Sequence, residues 1–319
     1  MINRPKVVLI AEIGHRVGWG HVSRCLILRR ILSPSFDVEL KIVNREGWAN
    51  PELEQAFALQ HPVRADIAFV DGLELREELG LKVRAGAVAS LSYMSDVNDV
   101  VDLVVAPALN GMHVPGHFLT DLSAILCNRP KAIVGPHDRN SGALTIGISM
   151  GGADVEGLTP VLERALGQSG HQILTMANEA GRHPTLSHFL EHKLYDHPAD
   201  PFPYYVFSEC DLVVCQGGLS AIEIALLGIP TVIRSRSDFT PAYRFLELSG
   251  CSRRSTGSSI AELENTINFV CDNGGQRAEM ARACRGLEAE IDESFWQVLI
   301  YQLIKKEAHH EAMPFLRGH

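Results

Sequence analysis

Lys6-Val7-Val8-Leu9-Ile10-Ala11-Glu12 is an apolar run of strand length, and it opens the segment that decides the fold. A glycine-bearing loop follows it, and from Val22 to Leu32 apolar residues recur at the three- and four-residue spacing of a helix. Val38 to Val43 then resumes a strand pattern. A strand, a helix and a second strand in this order predict a right-handed βαβ unit, the building block of a parallel sheet.

The same alternation continues along both halves of the chain. In the first half we predict further strands at Ile67–Val70, Ala87–Leu91, Leu103–Ala106 and Ala132–Val134. We predict helices between them at Pro51–Leu59 and Leu73–Leu79. In the second half we predict strands at Leu144–Ser149, Gln172–Met176, Leu212–Cys215 and Thr231–Ile233, a helix at Glu156–Leu166, and a mainly helical tail from Ile260 to Glu307. The sequence therefore indicates two similar α/β halves.

A polar segment rich in helix breakers, Gly135 to Gly142, separates the two series and is typical of a linker. With 319 residues the chain is long enough for two domains of roughly 150 residues each. We expect an N-terminal domain over residues 1–138 and a C-terminal domain over 139–319. The last helix could pack back on the N-terminal domain.

Composition narrows the class of protein. The chain is 46% apolar and 21% charged, as in self-folding globular proteins, and its −9 net charge with scattered Lys and Arg argues against nucleic-acid binding. The longest apolar stretch, Ile224 to Ile233, contains Gly228 and Pro230 and is too short to cross a membrane. Seven dispersed cysteines without a C-x-x-C pair indicate buried thiols. We therefore expect a cytoplasmic protein with no signal peptide, no integral membrane contact and no nucleic-acid partner.

Glycines join a strand to a helix at three turns. The turns are Gly18-Trp19-Gly20-His21, Ser149-Met150-Gly151-Gly152 and Gln216-Gly217-Gly218-Leu219-Ser220. Each can present bare backbone N–H groups at a helix N-terminus, which attracts phosphate. The alternative is that these glycines only permit tight turns.

The third turn carries two polar side chains close to its helix. Ser220 could cap the helix, and Glu223, one turn further on, could direct its carboxylate toward the same loop. A carboxylate there can accept hydrogen bonds from both hydroxyls of a ribose. A capping role for Glu223 is the alternative.

Two other sites compete with a phosphate site. Gly18 to Ser23 approaches the dinucleotide-binding fingerprint, but Ile13 to Val17 separate it from the strand, and Asn44 and Arg45 stand where an acidic residue belongs. His188 to His192 spells H-x-x-E-H without an evident third zinc ligand, so we favour a solvated helix face. Neither a G-x-S-x-G nor a G-x-x-x-x-G-K-[ST] motif is present.

Three motifs resemble those of the UDP-sugar hydrolases of pseudaminic acid biosynthesis, a family related to the MurG-type transferases. Gly18 to Leu26 resembles their G-x-G-H-v-x-R-c-L motif, and Ser149 to Asp154 resembles their S-x-G-G-x-D loop. Cys210 to Glu223, continued by Leu227-Gly228-Ile229-Pro230, resembles their nucleotide-binding segment. The motifs keep the family's order and span both halves of the chain.

The resemblance implies a GT-B fold, in which two Rossmann-like domains with parallel sheets face each other across a cleft. It implies that the second domain binds the nucleotide and that His21 from the first is catalytic, with water displacing UDP by inversion and without a metal or cofactor. The substrate-binding residues that we expect on these grounds are Gly18, Gly20, Arg24, Ser149, Gly151, Gly152, Gln216, Gly217, Gly218, Ser220 and Glu223.

The residue types suit this reaction. Imidazole titrates near neutral pH, so His21 could take a proton from the attacking water while a helix terminus stabilises the charge growing on the leaving diphosphate. As alternatives, His21 could be a turn residue bonded to nearby backbone, and Arg24 could bind a phosphate or be a solvated residue on a helix face.

The chain departs from the hydrolases at the positions that face the sugar. Ile222 stands where they carry tryptophan, Asp238 to Ala242 replaces an N-Q pair, and Leu91 to Asp96 replaces an I-D-D-like stretch. The sugar, the nucleotide base, the acceptor and the oligomeric state therefore stay open. Hydrolysis is the leading reaction; glycosyl transfer to an acceptor hydroxyl and non-catalytic binding of a nucleotide-sugar are the alternatives.

Overall fold

The computed structural model describes residues 4–14, 20–45, 57–130, 142–150, 154, 156–175, 203–234, 244–255, 257 and 259–309. Internal contacts divide the chain into two compact units. The first combines Met1–Leu126 with Ile291–His319, and the second is Cys127–Glu290. The expected boundary at residue 138 lies outside the described residues.

The first unit is built on a six-stranded parallel sheet. Its strands are β1 (Lys6–Ile13), β2 (Asp37–Asn44), β3 (Val63–Asp71), β4 (Val83–Ser90), β5 (Leu103–Val105) and β6 (Phe118–Leu119), in the order β2-β1-β3-β4-β5-β6. Helix α1 (Gly20–Leu32) connects β1 to β2, and helix α2 (Arg76–Lys82) connects β3 to β4. β1, α1 and β2 form the βαβ unit that the sequence predicted.

The second unit repeats this topology in a five-stranded parallel sheet. Its strands are β7 (Thr145–Ser149), β8 (Gln172–Thr175), β9 (Leu212–Cys215), β10 (Thr231–Ile233) and β11 (Ser252–Arg254), in the order β11-β10-β9-β7-β8. Its helices are α3 (Thr159–Gly167), α4 (Leu219–Leu226), α5 (Arg244–Leu248), α6 (Ile260–Asp272) and α7 (Gly274–Leu287). In both sheets the first strand of the unit lies between the second and the third.

Both faces of the second sheet are buried, as expected of a parallel sheet. Leu212 and Val214 pack on one face with residues of α3 and α6, whereas Val213 packs on the other with Phe207 and Ile224. Successive side chains of a strand point to opposite faces. The apolar run of β9 therefore fills two separate clusters.

The last helix, α8 (Ser294–His309), belongs to the first unit. Trp296 is 1% exposed, and its ring meets Phe69 of β3 edge-on with centroids 5.8 Å apart. Arg30 of α1 donates to the Glu293 carboxylate just before the helix, at 2.8 Å. The chain thus returns to the first unit through an aromatic contact in its core.

The structure confirms the predicted strands within the described residues, whereas several helices begin or end at other residues than predicted. α2 begins at Arg76 instead of Leu73 because carboxylates bind the preceding N–H groups: Glu12 accepts from Leu73 and Asp96 from Leu75. The sequence analysis missed β6, β11 and α5, all short; β11, the edge strand Ser252-Arg253-Arg254, has no apolar run. Ala132–Val134 and most of Pro51–Leu59 lie outside the described residues.

All seven cysteines are free and buried, as the sequence analysis expected of their thiols. Within the ranges that the structure describes, no helix combines the length and apolar character that a membrane span needs.

Gly147 on β7 offers a test of this packing. A Cβ there would lie 2.6 Å from the Phe207 ring and 2.9 Å from a Val213 methyl group, so Gly147→Ala should lower the free energy of unfolding by about 1–3 kcal/mol through overpacking. Gly167→Ala is the matched control, since a Cβ at this helical position meets nothing within 4 Å. Urea unfolding of both variants measures the effect. A Gly147→Ala variant as stable as the Gly167→Ala variant would contradict the close packing around Gly147.

Candidate functional site

The connections of each sheet identify where a ligand is expected. In an open parallel sheet, ligands bind beyond the carboxyl ends of two adjacent strands whose connections leave in opposite directions. In the first sheet these strands are β1 and β3, and in the second they are β7 and β9. The residues singled out from the sequence follow three of these four strands.

His21 lies in the first turn of α1, and its partner comes from the end of β3. Its Nδ1 is 2.5 Å from Asp71 Oδ1. The pairing of Ala11 with Asp71 places the end of β3 beside β1, from which the chain leads to α1. The His21 side chain is 11% exposed, whereas that of Asp71 is 0% exposed. The parallel register thus brings together two residues 50 positions apart.

The Asp71 contact fixes the form of the imidazole. Burial alone raises the pKa of Asp71, but Arg24 and His21 outweigh burial and hold that pKa below its ordinary value. An ionised carboxylate only accepts hydrogen bonds, so His21 donates through Nδ1. Nε2 is then the ring nitrogen able to accept a proton, as a general base requires.

Arg24, one helical turn beyond His21, binds the same carboxylate. Its Nε donates to Asp71 Oδ2 at 2.8 Å, and its Nη2 donates to Oδ1 at 2.6 Å. This is the two-pronged geometry that arginine makes with carboxylates. The structure therefore places Arg24 against Asp71. Gly20 begins the helix with room around it, and Gly18 lies outside the described residues.

The sequence analysis missed Asp71. The available signal was its position: an acidic residue directly after the buried strand Ile67–Val70 lies at the carboxyl edge of a parallel sheet. Gly72 follows it, and a Cβ there would lie 2.5 Å from Glu12 Cβ. Buried Glu12 accepts from the N–H groups of Leu73 at 2.5 Å and Glu74 at 3.1 Å, which fixes the backbone that carries Asp71.

In the second unit, the Gln216–Gly218 turn leads from β9 into α4. Gly217 and Gly218 have φ of 88° and 85°, and Gly218 combines this with a ψ of −163°, a conformation open essentially to glycine alone. Ser149 ends β7 directly beside Cys215, so the loop after it starts at the same edge. Gly151 and Gly152 of that loop lie outside the described residues.

Ser220 does not cap α4, contrary to the sequence-based expectation. The residue at the N-cap position is Gly218, and no side chain caps the helix start. Ser220 is inside the helix, where its hydroxyl donates to the Gly217 carbonyl at 3.2 Å. Because the helix already begins at Leu219, its N-cap position lies two residues before Ser220, which therefore cannot cap it.

Glu223 is 2% exposed and binds an asparagine that the sequence analysis missed. Its Oε1 accepts from the backbone N–H and the side-chain Nδ2 of Asn128, both at 2.7 Å. The Tyr204 phenol is close enough to interact with this carboxylate. Burial raises the pKa of Tyr204, and the negative charge of Glu223 raises it further. The Glu223 carboxylate is therefore held in place by the first residues of its own unit.

Two further sequence motifs are Ser149 to Asp154 and the H-x-x-E-H segment from His188 to His192. Asp154 of the S-x-G-G-x-D motif supports α3 by accepting from the N–H groups of Leu158 at 2.9 Å and Thr159 at 3.0 Å. His188 and His192 lie outside the described residues. Among the residues that are described, no group of three or more His, Cys, Asp or Glu side chains could hold a metal ion.

Comparison with known proteins gives structural relatives only. No protein-family model matches the sequence, and the comparison with curated proteins finds no match. Among solved structures, the chain is similar to MurG from Acinetobacter baumannii (TM-score 0.58, 17% identity, 94% of this chain and 100% of MurG covered).

Two further structures are similar to this chain. One is a putative UDP-N-acetylglucosamine 2-epimerase from Listeria monocytogenes, with a TM-score of 0.57, 12% identity and coverage of 98% and 99%. The other is the spinosyn rhamnosyltransferase SpnG, with a TM-score of 0.56, 15% identity and coverage of 93% and 100%. MurG and SpnG have the GT-B fold, so these similarities confirm the predicted GT-B fold.

The buried Asp71 ion pair has a consequence for stability. Folding lowers the pKa of Asp71 below its ordinary value of 3.8. The ionised carboxylate therefore contributes fully to the free energy of unfolding above pH 3.8, and this contribution is lost as the pH falls through the lower pKa of the folded state. Asp71→Asn should lower the free energy of unfolding by about 3 kcal/mol at pH 7, because a neutral amide replaces the buried carboxylate that binds Arg24 through both oxygens. The difference from wild type should shrink below about pH 4.

Urea unfolding at several pH values checks this expectation. Asp99→Asn is the matched control, because the Asp99 side chain is 69% exposed and its ion pair with Arg76 should contribute less than about 1 kcal/mol. A pH-independent difference for Asp71→Asn would contradict the assigned charge of Asp71.

Proposed function

We propose that this chain cleaves the anomeric C–O bond of a UDP-sugar, releasing UDP and free sugar with inversion and without a metal or cofactor. The observation that carries the proposal is the hydrogen bond from His21 Nδ1 to the buried Asp71 carboxylate, 2.5 Å long, at the switch point of the first sheet. Two structural relatives, named as a UDP-N-acetylglucosamine 2-epimerase and a rhamnosyltransferase, support a sugar-nucleotide substrate.

In the proposed reaction His21 acts as the general base. Water attacks the anomeric carbon from the face opposite the diphosphate and gives its proton to Nε2 of His21. The bond between carbon and diphosphate oxygen breaks, and its electron pair leaves with UDP. Asp71 stabilises the imidazolium that forms and keeps the ring in the required tautomer, as an aspartate does in the serine-protease triad. Asp71 is therefore a positioning residue.

The second unit is proposed to bind UDP. The N–H groups at the start of α4, presented by Gly217 and Gly218, would stabilise the charge on the departing diphosphate. Ser149, Gly151, Gly152, Gln216 and Ser220 are proposed beside them, and Gly18 and Gly20 near the sugar. Glu223 is proposed to accept from the ribose hydroxyls; its hydrogen bonds with Asn128 would hold the carboxylate in one orientation.

Glycosyl transfer is the second candidate, supported by the similarity to a rhamnosyltransferase. In that reaction His21 would take its proton from an acceptor hydroxyl instead of water. UDP release from a panel of UDP-sugars distinguishes the reactions. Release in water alone supports hydrolysis, and release only with an acceptor supports transfer. Conversion of the sugar with UDP retained would favour epimerisation, and binding without turnover would favour a non-catalytic protein.

His21→Ala tests the base. It should lower kcat by at least about 100-fold and leave the UDP dissociation constant within about twofold, because the base acts on the proton and not on the nucleotide. Stopped assays of UDP release and calorimetric titration with UDP give the two quantities. His61→Ala is the matched control, since His61 is exposed and precedes β3 at its opposite end. Full activity in His21→Ala would remove His21 from the mechanism.

Glu223→Gln tests the ribose contact. It keeps the size of the side chain and an acceptor for Asn128 but removes the charge, so UDP binding should weaken by about 1–3 kcal/mol. Calorimetric titration with UDP measures the change. Glu279→Gln, on the exposed face of α7, is the matched control and should bind UDP like the wild type. An unaltered affinity in Glu223→Gln would exclude a role for this carboxylate in UDP binding.

A further inference from the structure

We propose that Arg24 is a positioning residue that offsets the charge of Asp71 and so keeps His21 neutral and ready to accept a proton, in place of the phosphate-binding role expected from the sequence. This inference rests on the proposed role of His21 as a base.

The contacts of Arg24 direct its charge at Asp71. Nε and Nη2 each donate to a different oxygen of the carboxylate, at 2.8 and 2.6 Å, and the side chain is 21% exposed. Binding both oxygens of a buried carboxylate fixes the guanidinium plane. Lysine, a point charge, could supply the charge but not this fork.

The third contact of Arg24 shows how its charge acts on the imidazole. Nη2 lies 2.9 Å from His21 Nδ1. Since Nδ1 donates its hydrogen to Asp71, two donors face each other there and the contact is not a hydrogen bond. It is a cation beside the ring, and a cation disfavours a second proton on the imidazole, whereas the carboxylate favours one. The state of His21 therefore depends on the balance between Asp71 and Arg24.

The other ionisable groups near His21 are neutral or engaged elsewhere. Cys25 on α1 is buried, and burial raises the pKa of its thiol well above the ordinary value. Glu12 on β1 is bound by Arg45, which follows β2, and by the N–H groups of Leu73 and Glu74. Farther along the strands, Lys6 and Lys41 pair with Glu39 of β2, and Arg30 of α1 pairs with Glu293 before α8. Asp71 and Arg24 are thus the charges that the structure places on the ring, within the described residues.

Neutralising Arg24 should therefore let Asp71 hold His21 as an imidazolium, which cannot take a proton from water. In Arg24→Met the acidic limb of the pH profile of kcat/KM for UDP release should move to higher pH by about one unit. Arg24→Lys keeps the charge and should keep the wild-type pH dependence at a lower rate. Arg24→Gln should behave like Arg24→Met, and it replaces Arg24→Met if that variant does not fold.

A second readout separates this inference from the proposed function. The pH midpoint of the His21 ring C–H signal in NMR spectra, assigned by its loss in His21→Asn, should move to higher pH in Arg24→Met and not in Arg24→Lys. This measurement tests Arg24 even if no UDP-sugar is hydrolysed. An unmoved midpoint in Arg24→Met, or the same displacement in Arg24→Lys, would overturn the inference. So would a tenfold loss of UDP affinity with an unchanged pH profile, which would make Arg24 a phosphate ligand.

Discussion

A carboxylate without exposure to water needs compensating charge and hydrogen bonds, and Asp71 receives both from the start of α1. Arg24 binds its two oxygens and His21 binds one of them. Since the three side chains satisfy one another, the rotamer of each depends on the other two. The tautomer of His21, the charge of Asp71 and the direction of Arg24 follow from this single cluster, and so does the chemistry proposed for the first unit.

The two units place their candidate sites by the same topological rule. Each sheet has its first strand between the second and the third, so a ligand is expected beyond the carboxyl ends of the first and third strands. The first unit fills that edge with an ionisable cluster, His21 and Asp71. In the second unit, the Gly217-Gly218 turn follows β9 at that edge and leads into α4, the helix that carries the buried Glu223. We propose that this one topology supports two kinds of chemistry, proton transfer in the first unit and diphosphate binding in the second.

The glycine turn between β9 and α4 was predictable because its requirement is local. Gly217 and Gly218 adopt left-handed φ, and a residue with a side chain at either would be strained whatever surrounds it. His21 was also accessible from sequence, through its motif. The position of Asp71 after a buried strand could be read from the sequence, but its pairing with His21 could not, because the two residues are 50 positions apart and meet only once β3 lies beside β1. Asn128 and Glu223, 95 residues apart, were missed for the same reason.

The sequence by itself determined the two α/β halves, the parallel strands and the glycine turn before α4, because hydrophobic periodicity and backbone freedom act over a few neighbouring residues. Only the tertiary structure decided that Arg24 binds Asp71, that Glu223 binds Asn128 and that the last helix joins the first unit through Trp296. These contacts depend on sheet order and on the direction in which the chain returns. Charge pairing and burial act between residues that are near in space, and a linear sequence does not record that nearness.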